Sequence, residues 1–372
     1  MKEYIVTARK YRPNKFSNVV GQATIKDTLK NAIKNEHLGQ AFLFCGPRGV
    51  GKTSSARILA QTINCTNRTE DADACNTCES CTAFNEHHSF NIHELDAASN
   101  NSVDDIRNLV DQVRIPPQVG TKSVYIIDEV HMLSQSAFNA FLKTLEEPPA
   151  HAIFILATTE KHKILPTILS RCQVFDFKRI TITDIQKQLA YICSQEGIKA
   201  DDEALHLIAK KADGAMRDAL SIFDKLASFS TEEIKYEVAA EHLNVLDYDQ
   251  YLKLVDSILD NNIPQVLLQF DGILKKGFDS HIFMTGLSEH FRDLLVCKDE
   301  ATLSLLEVGE RSKTHYLNQS KNCSLPFIIQ ALDICNECDV QYKLSKSKRM
   351  LVELSLMRLC SLQDIKKKSP IT

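Results

Sequence analysis

The feature that most restricts the fold of this chain is the glycine-rich segment GPRGVGKT at residues 46–53. It fits the pattern G-x-x-x-x-G-K-[ST] and stands between a predicted strand and a predicted helix, which is the setting that the motif requires. There the glycines let backbone N–H groups surround phosphates, and the helix N-terminus adds a favourable dipole. The alternative is a chance glycine-rich turn. We expect a phosphate-binding loop formed by Gly46, Pro47, Arg48, Gly49, Val50, Gly51, Lys52, Thr53 and Ser54.

Short apolar runs alternate with helical patterns through the first half of the chain. The predicted strands are 41–45, 91–95, 123–128, 152–158 and 174–177. This alternation predicts an α/β fold with a parallel sheet and helices on both faces. After residue 178 the strand signals stop, and the remainder reads as helices, with longer loops near 275–280 and 309–325.

Two carboxylates follow a predicted buried strand in VYIIDEVH, residues 124–131. Ligands bind at this edge of an open α/β sheet, and two carboxylates are costly to bury there without a cation. We expect Lys52 to reach the β- and γ-phosphates, Thr53 and Asp128 to hold Mg²⁺, and Glu129 to polarise the attacking water. A surface acidic pair is the alternative. LATTE, at 156–160, ends another strand with a Thr that would contact the γ-phosphate or simply cap a turn.

Composition sets limits on location and partners. The net charge of −4 excludes a globally basic nucleic-acid binder, so any DNA contact must come from local groups. No apolar run approaches 18 residues, and the N-terminal MKEYIVTARKYRP lacks the features of a signal peptide. We therefore expect a cytoplasmic protein without a membrane contact.

Four of the twelve cysteines stand close together in the sequence, with the spacing C-x₉-C-x₂-C-x₂-C. In a reducing compartment such clusters indicate metal rather than disulfides, and four thiolates suit a closed, tetrahedral, structural Zn²⁺ site. The alternative is four unconnected cysteines. The expected ligands are Cys65, Cys75, Cys78 and Cys81, whereas His87 and His88 are expected at the surface. Cys335 and Cys338 share one helical face and are expected to be a core pair.

Eight motifs occur in order over residues 8–220: ARKYRPNKFSNVVGQ, GPRGVGKT, DAAS, YIIDEVHMLS, FLKTLEEPP, ILATTE, ILSRC and GAMRDAL. Together they resemble the gamma/tau subunits of the bacterial DNA polymerase III clamp loader, which are AAA+ ATPases. The resemblance implies an AAA+ domain at 1–178 with a zinc module at 64–82. A helical lid at 179–242, a helical collar domain at 243–364 and an exposed tail at 365–372 would follow.

The resemblance also assigns roles to single residues. Arg171 in SRC matches an arginine finger that acts on ATP bound by a neighbouring subunit, Arg217 matches the lid sensor arginine, and Thr159 matches the sensor at the sheet edge. The segment expected around the nucleotide's base and sugar comprises Arg9, Tyr11, Arg12, Pro13, Val19 and Val20. Its implied cofactors are ATP, Mg²⁺ and Zn²⁺.

The resemblance implies that this chain opens a sliding clamp and places it on primed DNA during replication. Further gamma/tau chains and the delta and delta-prime subunits are the implied partners, in a nucleoid-associated assembly of the bacterial cytoplasm. Two alternatives are a non-hydrolysing subunit like delta-prime and an AAA+ DNA translocase. The complete Lys52, Thr53, Asp128 and Glu129 set disfavours the first, and the zinc module and SRC motif disfavour the second.

The residues that follow DAAS differ from the family pattern. Relatives carry basic residues there, whereas this chain has Asn100, Asn101 and Ser102. Ser102 and Asp105 predict a capping box and a helix start. Any approach of this helix to DNA would therefore use backbone N–H groups rather than full charges.

Overall fold

A computed structural model describes residues 5–229, 233–243, 245–306 and 308–362. The chain divides into two compact units, one of Met1–Ile198 with Ile208–Phe229 and one of Lys199–Leu207 with Ser230–Thr372. The predicted tail at 365–372 lies outside the described residues. The division into an AAA+ domain, a lid and a collar stays a prediction.

A five-stranded parallel sheet organises the first unit, with the order β2-β3-β4-β1-β5. Three strands have the bounds predicted from the sequence, and the other two are shifted by one residue. The strands are β1 Ala41–Cys45, β2 Ile92–Asp96, β3 Ser123–Asp128, β4 Ala152–Thr158 and β5 Gln173–Asp176.

Both faces of this sheet are covered, as predicted. Successive residues of a strand point to opposite faces, so Phe42 and Phe44 join one hydrophobic core while Leu43 and Cys45 join another. The same alternation divides β3 and β4 between the two cores. The first core includes side chains from helices α2 Ala23–Lys34 and α3 Lys52–Asn64, and the second from α5 Val103–Val113 and α6 Gln135–Glu146.

The helix start predicted at Ser102 is confirmed. Ser102 caps α5 in the predicted capping box: its Oγ accepts from the Asp105 N–H, and its own N–H donates to the Asp105 carboxylate, both at 3.2 Å. Gly197, with φ of +68°, is the C-cap of α8 Ile182–Glu196. The other helices of the first unit are α1 Thr7–Lys10, α4 Glu79–Asn85, α7 Pro166–Leu169, α8 Ile182–Glu196 and α10 Met216–Phe229, and α9 Asp202–Lys211 is divided between the two units after residue 207. Short 3₁₀ turns cover Phe16–Asn18, Val130–Met132 and Lys161–Lys163.

The second unit is helical, with two corrections to the sequence prediction. Strand signals do not stop at 178, because β6 Lys199–Ala200 and β7 Glu233–Ile234 pair in parallel. The segment 309–325 is not a loop, because it contains a helix, Glu310–Asn322. Two-residue strands are too short to show periodicity, and this helix is too polar to show an apolar stripe. The helices are α11 Tyr236–His242, α12 Tyr248–Leu259, α13 Ile263–Lys275, α14 Ser280–Val296, α15 Glu310–Asn322, α16 Leu325–Tyr342 and α17 Lys348–Ser361.

Helices α12 to α17 enclose one hydrophobic core. Cys335 and Cys338 are buried in it, as predicted for a core pair. His290 is also buried, and its two ring nitrogens lie 3.0 Å from the Tyr316 hydroxyl and 2.8 Å from the Gln319 amide oxygen. Burial lowers the pKa of His290 to about 4, so the ring is neutral at pH 7. Among the described residues, none of the helices combines the length and hydropathy that a membrane span needs.

Two glycines of the second unit give opposite expectations for replacement by alanine. A Cβ at Gly286 would overlap the hydroxyl of Tyr251, whereas a Cβ at Gly272 would meet no atom within 4 Å. Gly286→Ala should therefore destabilise the protein by about 1–3 kcal/mol through overpacking. Gly272→Ala should stabilise α13 by up to about 1 kcal/mol. Urea unfolding followed by circular dichroism checks both, and equal midpoints for the two variants would contradict this packing.

Candidate nucleotide-binding site

The carboxyl ends of β1, β3 and β4 lie at one edge of the sheet, where the glycine-rich loop leaves β1. Cys45 pairs with Thr158 at the ends of β1 and β4. The Gly46 N–H extends this ladder by donating to the Thr158 carbonyl oxygen at 3.2 Å. The loop therefore begins at the sheet edge where parallel α/β folds bind ligands.

Glycine is required at two positions of the loop. Gly46 has φ of +144°, and a Cβ there would overlap the carbonyl oxygen of Phe177. Gly49 has φ of +76°, and a Cβ there would lie 3.0 Å from the Cβ of Ala215. L-residues rarely adopt such φ values, and neither position has room for a side chain. The resulting turn directs the N-terminus of α3 towards the sheet edge.

Lys52, the first residue of α3, is only 5% exposed and lies against this loop. Its Nζ donates to the carbonyl oxygens of Gly46 and Pro47, both at 2.7 Å. Burial lowers the pKa of Lys52, an effect opposed by the charges of Glu129 and Asp128. A buried ammonium held at a helix N-terminus is suited to binding phosphate oxygens.

Thr53 and Asp128 bring two oxygen ligands together. The Thr53 hydroxyl donates to Asp128 Oδ2 at 2.6 Å, and Asp128 Oδ1 accepts from the Glu129 N–H at 3.0 Å. A hydroxyl and a carboxylate are the hard oxygen donors that Mg²⁺ prefers in phosphate-binding sites. The pair that the sequence predicts as Mg²⁺ ligands therefore fits that ion chemically.

Glu129 is oriented by the strand end beside it. The Thr159 hydroxyl and N–H both donate to Glu129 Oε2, at 3.0 and 3.2 Å. Glu129 itself has φ of +48°, a conformation that non-glycine residues rarely adopt. His131, which sequence reasoning missed, has its Nδ1 3.0 Å from the Thr158 hydroxyl and 3.5 Å from Glu129 Oε2. Thr159 thus holds the carboxylate that the sequence predicts to act on water, and His131 lies beside it.

These groups border a cavity of about 560 Å³ within the first unit. Most of the sequence-predicted site residues line it: Arg9, Tyr11, Arg12, Pro13, Val19, Val20, Arg48, Gly49, Val50, Gly51, Lys52, Thr53, Ser54, Asp128, Glu129 and Arg217. Sequence reasoning missed a second set: Val6, Ala8, Asn18, His87, Ile180, Gln188, Met216 and Leu220. Val6, Ala8, Met216 and Leu220 are sequence neighbours of predicted residues, whereas His87, Ile180 and Gln188 come from segments that no local spacing connects to the motifs. His87 is exposed, as predicted, yet it forms part of the wall.

Two of the arginines that line the cavity, Arg12 and Arg217, lie close enough to repel each other. Burial lowers the pKa of the Arg12 guanidinium, and the nearby Arg57 and Arg217 lower it further, against the opposing effect of carboxylates. Tyr11 hydrogen-bonds to Glu196, and burial together with that carboxylate raises the pKa of Tyr11 to about 12. Arg12 and Arg217 would therefore gain from an anionic ligand in the cavity.

Arg171 is not brought into this cavity. It follows α7, where its Nη2 pairs with Glu146 at 2.7 Å and its Nη1 donates to the Thr167 carbonyl oxygen at 2.6 Å. The side chain remains 33% exposed. Within a single chain, therefore, Arg171 stands apart from the Lys52, Asp128 and Glu129 group.

The four clustered cysteines converge in space. Their sulfur atoms all lie within 4.8 Å of one another, and the Cys75–Cys81 and Cys65–Cys78 separations are 4.0 and 3.9 Å. A tetrahedron with Zn–S bonds of about 2.3 Å has edges of about 3.8 Å. Hydrogen bonds from Thr77, followed by one from Cys78, lower the pKa of Cys75 to about 5. The donor set therefore fits a zinc ion.

Comparisons with known proteins agree along the chain. Family models match residues 21–181 (DNA polymerase III, delta subunit), 184–232 (DNA polymerase III clamp loader subunit, ATPase lid domain) and 234–371 (DNA polymerase III subunits gamma and tau domain III). DNA polymerase III subunit tau of Bacillus subtilis is 40% identical over 361 residues, covering 96% of this chain and 63% of that protein. The chain belongs to the gamma/tau family of DNA polymerase III.

A second relative and a solved structure are also similar to parts of this chain. DNA polymerase III subunit tau/gamma of Haemophilus influenzae is 46% identical over 248 residues, covering 67% of this chain and 36% of that protein. The chain spans less than two thirds of the length of both relatives. Among solved structures, the Thermotoga maritima RuvB Holliday junction branch migration motor aligns at 19% identity with a TM-score of 0.47, covering 67% of this chain and 79% of that one. Nothing further follows from an overlap this loose.

Membership of an AAA+ ATPase family implies a nucleotide and Mg²⁺ as ligands. In this gamma/tau family member, Lys52 and the loop amides offer phosphate contacts, and Thr53 and Asp128 offer metal ligands. The family matches also favour the gamma/tau assignment over the DNA-translocase alternative.

Lys52→Ala and Glu129→Gln should separate nucleotide binding from hydrolysis. Removing the buried ammonium should weaken nucleotide binding by about tenfold or more, because a charge-assisted phosphate contact is lost. Glu129→Gln should leave affinity nearly unchanged and block hydrolysis, because the amide is a poor general base. Calorimetric titration and phosphate release measure the two effects. Wild-type binding and hydrolysis by both variants would contradict the site.

Proposed function

We propose that this chain is the ATP-hydrolysing motor subunit of the clamp loader in the DNA polymerase III holoenzyme. It would use ATP to load a ring-shaped sliding clamp onto primed DNA during replication. The observation that carries the proposal is the convergence of Lys52, Thr53, Asp128 and Glu129 at one edge of the sheet. A subunit that only supports the assembly would not need this complete hydrolytic set.

Each residue has a separate part in the proposed reaction. Lys52 and the loop amides would bind the β- and γ-phosphates, while Thr53 and Asp128 would hold Mg²⁺, whose charge would offset that of the phosphate oxygens. Glu129 accepts a proton from the attacking water, and Thr159 keeps that carboxylate in position through its two hydrogen bonds. Arg217 senses the γ-phosphate from the lid, and the N-terminal segment encloses the base and sugar.

The proposed reaction is completed by a neighbouring subunit. Arg171 does not line the cavity of its own chain and pairs with Glu146 instead, which supports the role in trans that the family resemblance implies. The proposed neighbours are further gamma/tau chains and the delta and delta-prime subunits. Contact with the sliding clamp and primed DNA would arrange these interfaces for hydrolysis.

An ATPase assay with stepwise addition of partners tests this function. The chain alone should hydrolyse ATP slowly, and addition of the delta and delta-prime subunits, the clamp and primed DNA should raise the rate strongly. Failure of the assembled complex to hydrolyse ATP beyond the rate of the lone chain would overturn the proposal.

Arg171→Ala tests the trans contribution. Arginine fingers contribute roughly 10³–10⁵ in rate by stabilising charge on the transferred phosphoryl group. The variant should therefore bind ATP normally as a lone chain but lose most of the stimulated hydrolysis in the assembly. Arg171→Lys, which keeps the charge but not the planar fork, should restore only part of the rate.

Mixing experiments provide the control for Arg171. Arg171→Ala chains mixed with Glu129→Gln chains should recover some activity, because an intact site and an intact arginine can meet at one interface. Full stimulated activity in an assembly that contains only Arg171→Ala chains would show that this arginine is structural.

We also assign a structural Zn²⁺ to Cys65, Cys75, Cys78 and Cys81. The distances between their sulfur atoms, close to the edges of a zinc–thiolate tetrahedron, support this assignment. Four protein ligands close the coordination sphere and leave no position for a substrate. The ion would therefore stabilise the loop between α3 and α4 without taking part in hydrolysis.

Metal analysis tests the zinc assignment. Protein prepared without chelator should contain about one Zn²⁺ per chain, as expected for one closed four-cysteine site. Cys78→Ser should reduce both the metal content and the thermal stability, because one ligand is lost. Cys297→Ser is the matched control, because this partly buried cysteine lies outside the cluster, and it should keep the metal. Wild-type protein without zinc would contradict the assignment.

A further inference from the structure

One buried carboxylate in the loop between α3 and α4 is not used by the proposed chemistry. Asp73 is 4% exposed and stands between two of the clustered cysteines, Cys65 and Cys75. Its Oδ1 accepts a hydrogen bond from the backbone N–H of Phe16 at 2.8 Å, across 57 residues of sequence. Its Oδ2 lies 3.5 Å from the Nζ of Lys30 on α2. A buried carboxylate with these partners forms a specific cross-link between distant segments.

The Phe16 end of this contact lies within the N-terminal wall of the cavity. Phe16 is fully buried and begins the 3₁₀ turn Phe16–Asn18. Pro13 precedes this turn, and Asn18, Val19 and Val20 end or follow it, and all four line the cavity. The Val19 N–H donates to the Phe16 carbonyl oxygen at 3.2 Å. A displacement of Phe16 would therefore also move Val19.

The Asp73 end of the contact is held rigidly. The Asp73 N–H donates to the Thr69 hydroxyl at 3.1 Å, and the Thr69 N–H donates to the Asp73 carbonyl oxygen at 3.0 Å. Arg68, next in the chain to Thr69, donates to the carbonyl oxygens of Thr62 and Ile63 in the last turn of α3, both at 2.9 Å. The loop is therefore attached to the same helix that begins with Lys52.

We propose that Asp73 is a positioning residue for the nucleotide: it fixes the segment 13–20 relative to the phosphate-binding helix. The loop is hydrogen-bonded to α3 at one end and to Phe16 at the other. It therefore sets the distance between the part of the cavity that binds phosphates and the part that binds the base and sugar. This inference rests on the proposed ATP-binding function. It gives the cysteine loop a part in nucleotide binding that needs no residue of the loop to touch the phosphates.

Asp73→Ala, Asp73→Asn and the matched control Asp71→Ala test the inference, since Asp71 is an exposed carboxylate of the same loop. Binding of MgATP and of magnesium tripolyphosphate to each full chain is measured by calorimetry. Asp73→Ala should weaken ATP binding by up to roughly tenfold, because a segment released from this charged hydrogen bond must be ordered again when ATP binds, at the expense of binding free energy. Tripolyphosphate binding should stay unchanged, because it uses only the phosphate-binding loop. Asp73→Asn keeps an acceptor for Phe16 and should lose about threefold in ATP affinity, as a neutral acceptor is weaker.

Hydrogen exchange of the Phe16 amide is the second readout, and it does not depend on any nucleotide. Exchange should be faster in Asp73→Ala than in Asp71→Ala. If Asp73→Ala kept the wild-type ATP affinity, or lost affinity equally for ATP and tripolyphosphate, the positioning role would be wrong. If Asp73→Ala does not fold, the same comparison is made with Asp73→Asn. A wild-type chain that binds no ATP would overturn the proposed function, and with it the role of Asp73 in nucleotide binding. If Phe16 exchange still depended on Asp73 in that case, the contact between Asp73 and Phe16 would be confirmed as purely structural.

Discussion

The turn from β1 into α3 is the constraint on which the site depends. Gly46 is held between two neighbours of β1: its N–H donates to Thr158 at the end of β4, and its Cα faces the Phe177 carbonyl after β5 without room for a side chain. Because β1 is the strand between β4 and β5, this contact fixes the direction in which the chain leaves the sheet. Lys52 and Thr53 follow six and seven residues later, next to the carboxylates that end β3.

The cavity wall is built from parts of the chain that are distant in sequence. The sheet edge supplies Asp128 and Glu129, the N-terminal segment supplies Arg12 and Val19, and α10 supplies Arg217. Asp73 holds the N-terminal segment through its bond to Phe16 and also pairs with Lys30 on α2. The loop that carries the clustered cysteines therefore contacts both α3 and the N-terminal segment.

The sequence was sufficient where a local pattern determines the structure. The strands 41–45, 123–128 and 152–158, the helix start at Ser102 and the approach of the four cysteines all follow from short-range residue patterns. It was insufficient where the structure depends on distant contacts. The polar helix Glu310–Asn322 has no apolar stripe and is held partly by buried polar contacts such as Gln319 with His290. His131, His87 and Asp73 gained significance only when the fold placed them beside other segments.

The position of a bound nucleotide is the most direct test of the central claim. An experimental structure of the chain with Mg²⁺ and a non-hydrolysable ATP analogue should place the β- and γ-phosphates against Lys52 and the loop amides. The metal should lie beside Thr53 and Asp128, and the base should rest against the N-terminal segment that ends at Val20. The proposed ATP site would be contradicted by an analogue that binds elsewhere. It would also be contradicted if the phosphates lay far from Lys52 and the metal lay away from Asp128.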